Sequence, residues 1–402
     1  MEKFDVVVVG AGPAGGHCAR LLSQIGHRVL LIERYKDFSR NNFSSAGTPL
    51  ETLTKFQLPD SVIGSYWQEL GIVTSRQQGL WRSETPQGVV MDFARLRQFL
   101  ADEVMETGGV VWLGCRYLTH QSLEDGSLAV DIKNNLSDTT TTINAQILVD
   151  ATGPARAIMR RPGRPQAEFI SGTGIEYLIR VDRTTYEAHA RRLTFLLGEK
   201  WMPRGYAWIF PMADQQLKVG AGALNGADST VARSLKTYTE KVLHEYLQPQ
   251  TYELLDTHGE TLRYSSQLRD IYTEGPCIIA IGDAVSTVNF LGGEGIRHGM
   301  TSAAIATRYI DERLQGKRSD LRGYQREMHR LFRRTWNISE RLGRKKYVED
   351  ADEMVDRIVT YLRPMQLEEL VDLLFFYRFP GLFYRQLKRF WRRLLRPFYG
   401  FK

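Results

Sequence analysis

Cysteine is scarce in this chain, with three residues among 402. Cys18, Cys115 and Cys277 are far apart and form no Cys-x-x-Cys pair, so neither a disulfide framework nor a zinc site is expected. The sequence therefore predicts no bound metal, and its few cysteines fit a reducing cytoplasm best.

Long apolar runs are missing as well. No stretch of 18 apolar residues occurs, which argues against a transmembrane helix. The first residues enter a strand pattern at once and do not have the layout of a signal peptide. With 43% hydrophobic and 25% charged residues, the composition is that of a soluble globular protein long enough for two or three domains.

The formal net charge of +7 is confined to one segment. Residues 381–402 contain seven Lys and Arg residues and no acid, whereas the remaining residues hold 46 basic and 46 acidic side chains. A nucleic-acid-binding surface is not indicated, because the rest of the chain is balanced in charge.

The same segment alternates its basic residues with large apolar ones. In a helix the apolar residues would form one stripe opposite the arginines. They are Phe383, Leu387, Phe390, Trp391, Leu394, Leu395 and Phe398. The pattern predicts an amphipathic helix that lies on a membrane surface. The alternative is a helix that docks on the body of the protein or on a second subunit.

The start of the chain carries the clearest local motif. Residues 6–9 form a β-branched run typical of a strand buried on both faces, and a Gly-x-Gly-x-x-Gly turn follows at the start of a predicted helix. A second strand, 28–32, leads into an acid 23 residues after the first glycine. Such a turn brings a pyrophosphate to a helix N-terminus, and the acid accepts hydrogen bonds from ribose. The predicted dinucleotide-binding residues are Gly10, Gly12, Pro13, Ala14, Gly15 and Glu33, with Arg34 and Arg40 as basic candidates.

Two later segments also run from a buried strand into small and acidic residues. Strand 147–149 leads to Gly153, and strand 277–281 leads to Gly282 and Asp283. Both resemble FAD-dependent oxidoreductases of the glutathione-reductase-like fold, in their hydroxylase and reductase branch. The resemblance implies that Asp283 binds the ribityl hydroxyls of FAD; the alternative is a helix N-cap.

A glycine-rich turn follows, and in the same branch it opens a helix beneath the flavin ring. Its residues here are Gly292, Gly293, Gly295 and Ile296. The helix predicted over 93–107 has a family counterpart that supplies an arginine towards the flavin. Arg95 and Arg97 are equal candidates for that role, and a solvated helix face is the alternative for both.

A strand bounded by Pro203 and Pro211 is unusually aromatic. In a strand, Tyr206, Trp208 and Phe210 would share one face, and spacing alone favours an aromatic layer of sheet core. The segment also resembles the PxxYxWxFP signature of the geranylgeranyl reductase family, flavoenzymes that saturate isoprenoid double bonds. The resemblance implies that Tyr206 and Trp208 line the cavity that holds a polyprenyl chain.

The chain departs from that family at one place. The family usually has a Cys-Gly-Gly stretch near the flavin, whereas this chain has Ser45, Ala46 and Gly47 in that region. A thiol cannot deliver the proton here, so either another donor acts, such as Tyr206 or a water, or the chemistry differs. NADPH or a ferredoxin is the expected transient source of electrons.

These patterns together predict an α/β fold with three parts. A Rossmann-like FAD-binding domain spans 1–158 and 272–315, an inserted, mainly antiparallel β domain for the substrate spans 159–271, and a helical region spans 316–402. The function predicted is reduction of a prenyl chain by hydride transfer from reduced flavin. The alternatives are a flavin monooxygenase or a carotenoid-cyclase-like enzyme on the same scaffold, and a non-catalytic flavin-binding membrane assembly factor.

Overall fold

Two large β-sheets with helices packed around them make up the described chain. The computed structural model describes residues 1–39, 44–160, 168–225, 230–347 and 352–379, with only the backbone described for 230–234. The helices are α1 Pro13–Gln24, α2 Glu51–Lys55, α3 Phe93–Glu106, α4 Arg183–His189, α5 Thr230–Lys241, α6 Ile296–Leu314, α7 Gly323–Tyr347, α8 Asp352–Leu362 and α9 Leu367–Leu374.

In two ranges, 63–91 and 110–181, strands follow one another with no α-helix among the described residues, and all the described strands precede the helices α6–α9. They are β1 Lys3–Val9, β2 Val29–Ile32, β3 Gly47–Pro49, β4 Ile63–Trp67, β5 Glu69–Val73, β6 Gln78–Arg82, β7 Gly88–Met91, β8 Val110–Trp112, β9 Cys115–Ser122, β10 Leu128–Asn134, β11 Thr139–Asp150, β12 Phe169–Val181, β13 Arg192–Leu197, β14 Gly205–Pro211, β15 Gln216–Leu224, β16 Tyr252–Ser265, β17 Thr273–Glu274 and β18 Ile278–Ala280.

The first sheet has the order β17-β18-β11-β1-β2-β8, with β9 and β10 extending from β11. Strands β18, β11, β1, β2 and β8 run parallel. Val6, Val7 and Val8 in the central strand are fully buried, as a strand covered on both faces requires. The α/β fold class predicted from the sequence is confirmed.

The parallel register places four strand ends at one edge. Val9 lies opposite both Ile32 and Asp150, and Asp150 lies opposite Ala280. The glycine turn, Glu33 and the two later motifs therefore begin side by side, although they are far apart in sequence. Ligands of open parallel sheets bind at this carboxyl edge.

The second sheet has the order β16-β12-β15-β14-β13-β5-β6 and is antiparallel except for the β13–β5 pair. Five of its strands come from 169–265. The other two, β5 and β6, come from residues 69–82 and so join this sheet from the first part of the chain. A third, small sheet has the order β3-β7-β4.

The aromatic strand β14 has the alternation predicted from its spacing. Ala207 and Ile209 belong to a buried cluster that includes Val242 and Leu243, which follow α5. Trp208 and Phe210 belong to a cluster on the other face, together with residues of α8 and α9. Both faces of this sheet are therefore covered, one by the α5 region and the other partly by the C-terminal helices.

The C-terminal region is helical as far as it is described, as predicted. The Trp81 Nε1–H donates to the Leu362 carbonyl at 3.2 Å, and the rings of Trp67 and Phe375 stack with centroids 5.5 Å apart. The first contact holds the end of α8 on β6 of the second sheet, and the second holds Phe375, which follows α9, on β4 of the small third sheet. The predicted amphipathic helix of 381–402 lies outside the described residues. In the described ranges, no helix combines the length and apolarity needed to cross a bilayer.

Three buried histidines should make folding stability depend on pH. Burial lowers the pKa of His17 to about 3 and those of His189 and His298 to about 4. Because the unfolded side chains titrate near 6.5, their stabilising contribution is complete above pH 6.5 and is lost as the pH falls from there towards 4. We expect the free energy of unfolding to fall by several kcal/mol over that interval, at about 1.4 kcal/mol per pKa unit.

Urea titrations at a series of pH values test this expectation. His298→Gln should make the free energy of unfolding vary less with pH between 6.5 and 5. His244→Gln, at an exposed position, should leave that variation unchanged. An equally steep curve for His298→Gln would contradict the expectation.

Candidate functional site

A cavity of about 340 Å³ lies between the carboxyl edge of the parallel sheet and the aromatic face of the second sheet. It brings together residues predicted from four separate motifs. Those that line it are Gly12, Pro13, Ala14, Gly153, Tyr206, Trp208, Gly282, Asp283, Gly293, Gly295 and Ile296. The predicted cofactor motifs and the predicted substrate wall therefore face one space.

The outer glycines of the first motif shape the turn and do not line this cavity. Gly10 has φ +104°, and a Cβ there would lie 2.5 Å from the Ala151 carbonyl oxygen. A Cβ on Gly15 would lie 1.9 Å from the Gly10 carbonyl oxygen. Only glycine allows α1 to approach the strand this closely, which is the role expected of these positions.

Glu33 is held at the edge of the sheet by three protein donors. Its Oε2 accepts from the Ala11 N–H at 3.0 Å and from Arg97 Nη2 at 3.2 Å, and its Oε1 accepts from the Tyr35 N–H at 3.1 Å. Arg97 Nε also donates to the Ala11 carbonyl at 3.2 Å. Because a carboxylate has about four acceptor positions, Glu33 can bind this loop and a ribose hydroxyl together.

The structure separates two arginines that the sequence left equivalent. Arg97 is 2% exposed and packs against the glycine turn, whereas the Arg95 side chain is 68% exposed beside Asp92. Arg34 is exposed, with its guanidinium 4.7 Å from the centre of the Tyr35 ring. Arg40 lies outside the described residues.

Asp283 lies inside a short helical turn and is not a helix N-cap; Ile281 and Gly295 occupy the N-cap positions of this turn and of α6. Its Oδ1 accepts from Thr287 Oγ1 and from the Val288 N–H, both at 3.1 Å, so it orders its own turn. The residue also lines the cavity, and burial raises the pKa of its carboxyl. The position therefore suits a carboxylate that orders the turn and presents an oxygen to a ligand.

The glycine-rich turn before α6 contacts aromatic side chains. Gly293 has φ +70°, and a Cβ there would lie 2.6 Å from the Tyr206 hydroxyl. Gly292, which is not part of the cavity lining, approaches the Tyr377 hydroxyl in the same way, at 2.4 Å. α6 then starts at Ile296 with no acidic residue in its first turn. The positive end of its dipole is therefore directed towards the cavity.

The aromatic row of β14 is partly wall and partly core. Tyr206 and Trp208 line the cavity, whereas Phe210 is 4% exposed and packs edge-on against Phe195 at 5.3 Å. Burial raises the pKa of Tyr206 to about 12. Its phenol is therefore protonated at neutral pH and can donate a hydrogen bond into the cavity.

The segment that departs from the geranylgeranyl reductase pattern contributes two serines to the cavity. Ser44 and Ser45 line the cavity, and the Ser44 carbonyl accepts a hydrogen bond from Lys218 Nζ at 2.7 Å. Lys218 is 6% exposed and was not singled out from the sequence. The feature of the sequence that could have identified Lys218 is its position between the small and apolar residues of β15.

The described residues fit a bound dinucleotide. A Cβ on Gly12 or on Gly153 would meet no heavy atom within 4 Å, so space is left beside both turns. α1 starts at Pro13 with no acidic residue in its first turn, which leaves the positive end of the helix to a phosphate. Among the described residues, no group of acidic, His or Cys side chains is placed to hold a metal ion.

Comparisons with known proteins show the family of this chain. Residues 3–338 match the family described as FAD binding domain. A digeranylgeranylglycerophospholipid reductase of Haloferax volcanii is 28% identical over 340 residues, which cover 79% of this chain and 78% of the relative. Digeranylgeranylglycerophospholipid reductase 1 of Methanopyrus kandleri is 27% identical over 363 residues, 88% of this chain and 93% of that protein.

A solved structure supports the same fold. The geranylgeranyl bacteriochlorophyll reductase-like protein of Thermoplasma acidophilum superposes with a TM-score of 0.82 at 21% identity, over 91% of this chain and 93% of its own. The arrangement of two sheets and C-terminal helices is therefore shared with that protein.

Substitutions at two glycines should separate FAD binding from folding. Gly12→Ala has open space and an ordinary φ of −73°, so the stability of the apoprotein should not change. Its methyl group would occupy the space beside the pyrophosphate, so FAD affinity should fall at least about tenfold, or about 1.4 kcal/mol. Gly15→Ala clashes with the backbone and should cost about 1–3 kcal/mol of stability.

Flavin absorbance per protein after gel filtration, together with urea unfolding of the apoproteins, measures both effects. Full FAD retention by Gly12→Ala would contradict the assignment of this loop as the pyrophosphate-binding turn.

Proposed function

We propose that this chain, which belongs to the FAD binding domain family, is a FAD-dependent reductase that saturates double bonds in the prenyl chain of a lipid. The observation that carries the proposal is the shared cavity, in which dinucleotide-binding motifs face an aromatic, largely apolar wall. The relatives named as digeranylgeranylglycerophospholipid reductases support the choice of substrate class.

The cavity lining, together with Glu33 and Arg97 behind the glycine turn, then has a role in binding. The turn of Gly12 and Pro13 would hold the pyrophosphate, Glu33 and Arg97 would hold the adenosine ribose end, and Asp283 would hold the ribityl chain. The turn that ends at Ile296 would lie beneath the flavin ring. A reduced FAD held by these residues would supply the hydride for one alkene carbon.

The second alkene carbon needs a proton, and the chain offers two sources for it. Tyr206 lies in the cavity with its phenol protonated. Ser45 lies in the same cavity and can hold a water by a hydrogen bond. We assign proton delivery to Tyr206 or to such a water, which replaces the thiol that the geranylgeranyl reductases usually have.

The proposed domain division follows the two sheets. Residues 1–158 and 272–315 bind FAD, 159–271 bind the substrate, and 316–402 are the C-terminal region, in which α8 and α9 cover the second sheet while α7 packs against the core of the first. The two strands from 69–82 belong to the substrate sheet although they lie within the first range. NADPH or a ferredoxin is proposed as the transient electron donor.

Reduction of a prenyl lipid tests the function directly. Holoprotein reduced with dithionite under anaerobic conditions is incubated with a geranylgeranyl phospholipid, and the lipid mass should rise by about two units per saturated bond. Trp208→Ala should retain FAD but lower turnover at least about tenfold, a transition-state cost of about 1.4 kcal/mol. Leu331→Ala, at an exposed position, is the matched control.

Three outcomes would each point to a different function. An oxygenated product formed only in air would identify a monooxygenase, and an isomer of unchanged mass would identify a cyclase. A bound flavin that no donor reduces would favour the assembly factor.

Membrane association is proposed for the segment 381–402, on the basis of its sequence. Basic residues beside an anionic leaflet contribute about 1 kcal/mol each, so the full chain should sediment with vesicles containing phosphatidylserine. Binding should weaken at high salt. A chain ending at residue 379 should remain in the supernatant, and equal binding by both chains would place the contact elsewhere.

A further inference from the structure

The Trp208 indole lies flat across the neighbouring strand β15. Trp208 pairs with Gly220 in the β14–β15 register. A Cβ on Gly220 would lie 2.3 Å from Trp208 Cζ2, and one on Gly222 would lie 3.4 Å from Cζ3. The six-membered part of the indole therefore occupies the space above two glycines, and a larger residue at Gly220 would displace it.

The far edge of the indole reaches the next strand, β12. There the Trp208 Nε1–H donates to Glu176 Oε2 at 2.7 Å. Glu176 itself pairs with Gly220 in the β12–β15 register, so the indole extends across one strand to its partner on the next. One hydrogen bond and one strip of glycines thus define the orientation of the ring.

Glu176 is buried behind the wall and is not part of it. The residue is 1% exposed and does not line the cavity, whereas Trp208 does. Burying a carboxyl group costs free energy unless the group has hydrogen-bond partners. Contact with a substrate does not explain why a carboxyl group is buried at position 176. Its hydrogen bond to Trp208 does.

Other polar groups on this face have separate partners. Lys218 donates to the Ser44 carbonyl at 2.7 Å, and His258, opposite Glu176 on β16, lies 3.1 Å from Asp256 Oδ2. Burial raises the pKa of Glu176, while the Lys218 charge and the Trp208 hydrogen bond oppose this rise. Either protonation state leaves Glu176 Oε2 able to accept from the indole.

We propose that Glu176 is a positioning residue that holds the Trp208 indole flat on Gly220 and Gly222, and so sets the width of the cavity beside the prenyl chain. The identity of the ligand rests on the proposed function, whereas the hydrogen bond does not. Without its acceptor the indole is free to turn on its Cβ and narrow the cavity. The effect therefore falls on substrate binding more than on the chemical step.

Two neutral substitutions isolate the acceptor. Glu176→Gln keeps an oxygen for the indole, and Glu176→Leu removes it; both remove the same charge. With the geranylgeranyl phospholipid as substrate, KM should rise about five- to tenfold for Glu176→Leu and less than about twofold for Glu176→Gln, as expected for loss of one hydrogen bond. FAD content should be unchanged in both. Equal effects of Gln and Leu would overturn the proposal.

A double-substitution cycle checks that Glu176 acts through the indole. Trp208→Phe removes the N–H donor, so adding Glu176→Leu to it should change KM by less than about twofold, a coupling typical of contacting residues. Full additivity of the two effects would overturn the proposal, because Glu176 would then act by another route.

A spectroscopic test needs neither turnover nor a change at Glu176. The chain has seven tryptophans, and in ¹⁵N-tryptophan-labelled protein the Trp208 indole signal is the one lost in Trp208→Phe. Its N–H should exchange slowly with water in the wild type, since it is buried and hydrogen-bonded. Rapid exchange would overturn the positioning role, whereas slow exchange in a protein that reduces no prenyl lipid would remove only the proposed function.

Discussion

The parallel pairing of β1 with β2 on one side and β11 on the other is the constraint on which this site depends. Val9, Ile32 and Asp150 end at the same level, so the turns that follow them must share one edge of the sheet. The close contact of Gly15 with the Gly10 carbonyl then brings α1 directly onto that edge. The site is therefore created by the register of the parallel strands and not by any single side chain.

The second sheet closes the space that this edge leaves open. Its aromatic face meets the glycine-rich turn where Tyr206 approaches Gly293, and α8 and α9 cover the rest of the same face. The helices therefore stabilise the wall of the cavity without lining it. The aromatic row of β14 begins as cavity wall at Tyr206 and ends as buried core at Phe210.

Local patterns predicted the motifs well, because a glycine turn between a buried strand and a helix is compatible with few structures. They could not decide between Arg95 and Arg97, since burial of Arg97 comes from its contact with Ala11, 86 residues away. Pairing of β5 with β13 likewise joins residues 69–73 to 192–196 and leaves no local signal. Glu176 looked like an ordinary strand residue until the partner of its carboxylate was known.

Serine in place of the usual cysteine has a consequence for the chemical durability of this cavity. All three cysteines of the chain are buried, and none of them lines the space where Ser45 lies. Burial raises the pKa of Cys18 to about 12, which suppresses its thiolate. The cavity wall thus has no thiol for peroxide or an alkylating agent to attack. A cysteine introduced there would be a selective handle for labelling.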